Sequence, residues 1–220
     1  LAGIALVFPF VMLTQMMSAG AMGGGVSSAV SRALGAGNRG RAADLALHAA
    51  IIGTGGGLFF TAMMLLFGRT FYSLLGGSGE VLEQAMHYSQ VLFAGAVSIW
   101  LVNTLGAVVR GTGDMRVPSL VLIGVAVVQV IVGGGLGLGL LGLPKFGMRG
   151  VAAGQLAAFS LGALFLVWYL ASGRSRLTLN LRSFAFQRDM FLDILKVGAV
   201  SCLSPLQTVL AIVIFTKLLA

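Results

Sequence analysis

Residues 117–143 read VPSLVLIGVAVVQVIVGGGLGLGLLGL, without one charged side chain. Wound as an α-helix at ~1.5 Å per residue, the stretch reaches ~40 Å, enough to cross the ~30 Å hydrocarbon core of a bilayer. Lipid offers no water to unpaired peptide groups, so a spanning segment is either a helix or part of a closed barrel. Barrel strands alternate lipid-facing and lumen-facing residues. No such alternation is present here, and the stretch reads as a transmembrane helix.

Five more apolar runs flank it, at 2–30, 43–67, 86–109, 150–171 and 197–216. Each is close to the ~20 residues that one crossing requires. The spacing predicts an all-α fold, a polytopic membrane helical bundle of about six transmembrane helices. Composition agrees: 58% hydrophobic residues, 9% charged residues and a mean hydropathy of +1.01 leave too little polar surface to cover a water-soluble globule.

The connections carry their own signals. Gly35, Gly37 and Gly40 bracket Asn38, a helix-capping residue type, and Gly111, Thr112, Gly113 and Asp114 form a turn before Pro118. The connections expected at 68–85 and 142–149 carry Gly76, Gly77, Gly79, Glu80 and Glu83, and Pro144, Lys145 and Arg149, respectively. Counted by alternating side, ten of the fourteen basic residues fall together: Arg32, Arg39, Arg41, Arg110, Arg116, Arg174, Arg176, Arg182, Arg188 and Lys196. Arg69, Lys145, Arg149 and Lys217 fall on the other side. Short cytoplasmic loops are enriched in Lys and Arg, so the first group marks the cytoplasmic face. Residue 1 then lies on the opposite face, which implies a preceding helix.

The same dispersal accounts for the net charge of +8 without nucleic acid as a partner, because phosphate binding needs a contiguous basic stripe. Cys202 is the one cysteine, which excludes an internal disulfide or cysteine metal site. His48 and His87 have no second ligand at metal spacing and read as structural. No enzyme is expected: the acids Asp44, Glu80, Glu83, Asp114, Asp189 and Asp193 sit in or beside loops, and no catalytic set or GxxxxGK[ST] phosphate loop occurs.

The longest connection, 172–196, places Phe186, Met190, Phe191, Ile194 and Val197 on one helical face. It reads either as an interfacial helix in a linker or as the wet first turns of the sixth span. Small residues recur at four-residue spacing in Gly20/Gly24, Ser27/Ser31, Gly53/Gly57, Gly133/Gly137 and Gly150/Gly154, a pattern that brings helix backbones into contact. The cluster Gly133, Gly134, Gly135, Gly137 and Gly139 is expected to bend. Inside the spans the polar side chains are Thr14, Gln15, Asn103, Gln129, Gln155 and Gln207, each costly in hydrocarbon unless it pairs with a neighbour or faces a wet cavity.

Two segments carry a family resemblance. Ser31-Arg32-Ala33-Leu34-Gly35-Ala36-Gly37-Asn38 with Ala42, and Val109-Arg110-Gly111-Thr112-Gly113-Asp114-Met115-Arg116-Val117-Pro118, resemble the second-to-third and fourth-to-fifth helix loops of the MATE multidrug and toxin extrusion transporters. Gly147–Ala153 is similar to the family's entry into its sixth helix, and Ile194–Gly198 to its entry into the seventh.

The resemblance implies a twelve-helix, two-lobe transporter. In it, 1–171 supply helices two to six of the first lobe, 172–196 the inter-lobe linker and 197–220 the first helix of the second. It further implies export of small organic, often cationic solutes by proton- or sodium-coupled antiport in the plasma membrane. The protein would act as a monomer with no cofactor beyond the coupling ion, and Gln15, Asn103, Gln129 and Gln155 would face the cavity. The sequence departs from the family pattern at Gln129 and the glycine cluster, where the fifth helix often carries Asn and an acid. It departs again at Gln155, where Thr is common, and at Gln207 and Thr208, where one subgroup has a carboxylate. Two alternatives stand beside this reading, a lipid-linked-sugar or polysaccharide flippase of the same architecture and a membrane scaffold without transport activity.

Overall fold

The computed structural model describes residues 2–139, 146–175, 177 and 186–219. Pro144, Lys145, Arg176 and Arg182, which entered the loop and charge readings, lie outside the described residues. The described chain is helical. α1 (Ala2–Gln15) passes through a π-helical segment (Met16–Met22) into α2 (Gly23–Gly35). α3 (Arg39–Leu74), α4 (Gly79–Ala94) and α5 (Ala96–Gly111) follow. α6 (Arg116–Val128) continues through a second π-helical segment (Gln129–Gly133) into α7 (Gly134–Leu138). Then come α8 (Met148–Ala171), α9 (Arg188–Ser201) and α10 (Leu203–Leu219).

Five helical stretches are long and apolar enough to cross a membrane: Gly3–Gly35, Arg39–Leu74, Arg116–Leu138, Met148–Ala171 and Arg188–Ile212. α4 and α5 together make a sixth, bent by 48°. This run was expected to be continuous. The break falls at Gly95, where a side chain would overlap Leu156 of α8, and the Thr61 hydroxyl donates at 2.6 Å to the Phe93 carbonyl beside the bend.

α3 and α4 also run closer together than the hydropathy predicted. The connection expected at 68–85 shrinks to residues 75–78, because buried Tyr72 and Leu82 carry both helices beyond their apolar runs. Likewise α9 begins at Arg188 and is continuous across 196–197. Met190, Ile194 and Gly198 are buried against the first two spans, while Phe186 and Val197 are exposed at 57% and 40%. The segment is therefore the opening of the sixth span, and only part of the expected apolar face packs.

α5 forms the axis of the core. Ile99, Val102, Leu105, Val108 and Val109 are almost fully buried, with α2, α3 and α8 around them. Large apolar side chains such as Leu66, Leu120, Ile131 and Leu164 cover the outside, as lipid-facing helices require.

Small residues set the tightest contacts. A side-chain carbon on Gly150 would come 2.6 Å from the Leu136 carbonyl carbon, and Gly154 abuts the Gly133 backbone, so the two expected glycine pairs interlock α8 with the Gln129–Leu138 stretch. Gly20 and Gly24 depart from the expectation, since nothing lies within 4 Å of a side chain built on either. In the glycine cluster a π-helical segment ends at Gly133 and a left-handed residue, Gly139, ends the helix.

Candidate functional site

The polar side chains of the spans fall into separate groups. Asn103, on α5, is 5% exposed, and its Nδ2 donates to Gln15 Oε1 and to Ser18 Oγ, both at 2.8 Å. Ser18 donates in turn to the Thr14 carbonyl at 2.6 Å, and Thr14 to the Phe10 carbonyl at 2.8 Å. This chain of bonds runs into the first π-helical segment, Met16–Met22, and gives its polar side chains partners that lipid would not supply. Gln15 is half-buried, and its Nε2, like Asn103 Oδ1, has no protein partner among the described residues. One donor and one acceptor stay free at this junction.

Gln155 is elsewhere, joined to α4 by the Tyr88 hydroxyl, which donates to its Oε1 at 3.2 Å with both residues 7% exposed. That geometry is interhelical hydrogen-bond glue. Gln129 is half-buried where the second π-helical segment begins, and it has no hydrogen bond among the described residues. Of the four candidates, the structure joins Gln15 to Asn103 and leaves Gln129 and Gln155 apart.

The loop motifs meet at one end of the bundle. Asn38 caps α3 by accepting the Arg41 N–H at 2.9 Å, and Gly37 before it sits at φ +74°. Asp114 Oδ1 accepts the N–H groups of Arg116 and Val117, ahead of Pro118 in the first turn of α6, and its Oδ2 accepts the Tyr169 hydroxyl at 3.1 Å. Gly113 supplies the φ of +87° for the turn. Gly111 is a close approach to α2, and a side chain there would meet the Ser27 carbonyl oxygen at 3.0 Å. The half-buried Arg110 guanidinium lies over Gly23 and Gly106. Ser31 donates to the Ser28 carbonyl, and Arg32 bonds both Ser28 and Asp193 of α9, the latter at 2.9 Å. Gly35 and Gly37 line the same recess as Gly111 and Gly113, so the two connections assigned to the cytoplasmic face share one end.

Several site residues were not legible in sequence. Ser18, three residues from Gln15, and Tyr88 near a span entrance give no signal without the helix packing that supplies Asn103 and Gln155. Trp100 is 2% exposed and its indole N–H has no acceptor among the described residues. We have no physical account of that orphan. Asp193 and His48 turn out to hold α9: Asp193 through Arg32 and Arg41, and His48 by accepting the Gln187 N–H on Nε2 at 3.0 Å.

Comparison with known proteins assigns the chain to a family. The sequence profile described as MatE matches residues 1–133. The chain belongs to the MatE family. Among curated MatE relatives, a probable multidrug resistance protein NorM of Thermotoga maritima is 25% identical over 146 residues, 66% of this chain and 32% of its own length. An FAD transporter of Shewanella oneidensis is 29% identical over 174 residues, 77% of this chain and 37% of its own. The chain thus spans about a third of the length of these relatives. A solved inward-facing multidrug resistance MATE family transporter of the MOP superfamily matches with TM-score 0.88 and 31% identity, over 96% of this chain and 47% of its own. An outward-facing MATE family structure matches at 0.85 and 31%, over 96% and 46%. The chain is therefore a multi-pass integral membrane segment with the MatE helical fold.

Proposed function

We propose that the full-length protein is a secondary active transporter of the plasma membrane that exports small organic cations or drugs by proton- or sodium-coupled antiport. In this reading 1–171 belong to the first lobe, 172–196 link the lobes, with the end of that stretch already wound into α9, and 197–220 begin the second. The observation that carries it is the Gln15–Asn103–Ser18 junction. An amide cluster within two spans, next to a π-helical segment and keeping a free donor and a free acceptor, offers polar groups that a solute could meet, which supports a solute path over a scaffold. Neutral amides solvate a cation through their oxygens without trapping it, and a coupling carboxylate would lie elsewhere in the full-length protein. The likeness of this portion to both inward- and outward-facing relatives supports a lobe that moves as one body during alternating access. Gln129, half-buried and unbonded, would face the same cavity.

The Shewanella relative favours a second reading, an anionic dinucleotide substrate. Full-length protein in proteoliposomes under an imposed proton or sodium gradient, offered ethidium and FAD separately, tests them. Ethidium movement is expected, and Asn103→Leu should slow it about tenfold, ~1.4 kcal/mol of barrier, in protein that still folds. FAD movement in its place supports the second reading. Failure to move either solute, or a rate indifferent to Asn103→Leu, overturns the proposal.

A further inference from the structure

At the rim assigned to the cytoplasmic side, two recesses are lined by neighbouring stretches of α6, α8 and the turns beside them. The outer one, about 510 Å³, is polar and is lined by Thr112, Asp114, Arg116, Tyr169 and Arg174. Its one acid is already engaged, because Asp114 accepts two backbone N–H groups and the Tyr169 hydroxyl. Neither Arg116 nor Arg174 pairs with a carboxylate among the described residues. Arg174 is held over the Trp168 ring at 5.0 Å, and Trp168 itself is 49% exposed on the lipid-facing side, an amphipathic ring of the kind found at headgroup level.

Directly beneath runs an apolar groove of about 300 Å³ along the α6–α8 seam, lined by Val117, Val121, Gly124, Ala158, Leu161 and Phe165. Val117 follows Arg116 in sequence, and Phe165 lies one turn before Tyr169, so the linings of the groove and of the polar recess adjoin along both helices. From Val117 to Val128 it follows α6 for ~16 Å, close to the ~15 Å depth of one leaflet's hydrocarbon. Two unneutralised guanidinium groups therefore stand above a leaflet-deep apolar slot, and the charge complements a phosphate attached to an acyl chain.

We propose that this seam binds an anionic glycerophospholipid of the cytoplasmic leaflet, with its phosphate between Arg116 and Arg174 and one acyl chain in the groove. Anionic lipids concentrate in the field of cytoplasmic basic residues, which contributes about fivefold in affinity for each arginine near the surface. A zwitterionic lipid carries the same chains and lacks the net charge. The inference is independent of what the protein transports.

The test uses purified full-length protein, with phosphatidylglycerol and phosphatidylcholine of identical chains, each bearing a photoreactive diazirine at mid-chain. Phosphatidylglycerol should be retained about tenfold or more over phosphatidylcholine in native mass spectrometry, and its adducts should map to 117–128 and 158–165. R116Q/R174Q should abolish the preference and R116K/R174K should keep most of it, which separates lost charge from misfolding. Gly124→Leu, whose added carbon enters open space, should fill the groove and remove the adducts while thermal stability holds. Equal retention of the two lipids, or a preference unchanged in R116Q/R174Q, overturns the site. So do adducts confined to other segments, as when another helix of the full-length protein fills the seam. Competition by millimolar inorganic phosphate without groove labelling reduces the recess to a phosphate site and also overturns the lipid.

Discussion

Gly154 and Gly55 both lie within apolar helices, yet their neighbours predict opposite behaviour. Gly154 abuts the Gly133 backbone, while a carbon on Gly55 would meet nothing within 4 Å. Gly154→Ala must push two main chains apart and should destabilise the protein by about 2 kcal/mol or more. Gly55→Ala should be neutral or slightly stabilising. Thermal unfolding of the two variants in one detergent checks the pair. The glycine spacing made the 133/154 contact legible, because small residues four apart on two neighbouring spans have few other uses. It misled at Gly20 and Gly24, because spacing does not say which side of a helix has a neighbour. Asn103 was legible as a costly polar group, and its partners were not, since Gln15 and Ser18 are distant in sequence and meet it only after packing.

At the level of elements, hydropathy located the spans and missed their irregularities. The bend at Gly95 packs against Leu156 and Thr61, residues of other helices that no local pattern announces. Thr61→Val keeps the shape of the side chain and removes its bond to Phe93, and should lower the unfolding free energy by about 1–2 kcal/mol. The α9 attachment divides in the same physical terms. Arg32 and Arg41 meet Asp193 at partly exposed positions, so Asp193→Asn should cost less than about 1 kcal/mol. The His48 ring is fully buried and takes the Gln187 N–H. Hydrogen exchange of that amide should therefore speed up about tenfold or more in His48→Phe and change little in Asp193→Asn. Equal exchange in both variants would assign the attachment to the ion pairs.

For the molecule as a whole, the fold was legible because lipid as solvent leaves so few options: uncharged stretches of this length become helices, and the basic loops predict their orientation. The structure agrees where it brings the 35–39 and 111–113 connections to one end and puts the Arg69–Glu83 pair at the 69–83 turn region, one span away. The central claim is this sidedness. A membrane-impermeant maleimide applied to sealed vesicles of full-length protein, in a background cleared of other cysteines including Cys202→Ala, tests it most directly. Arg39→Cys and Met115→Cys should react only from the cytoplasmic side, and Glu80→Cys only from the opposite side. Reaction of Arg39→Cys and Glu80→Cys from one common side would contradict the account.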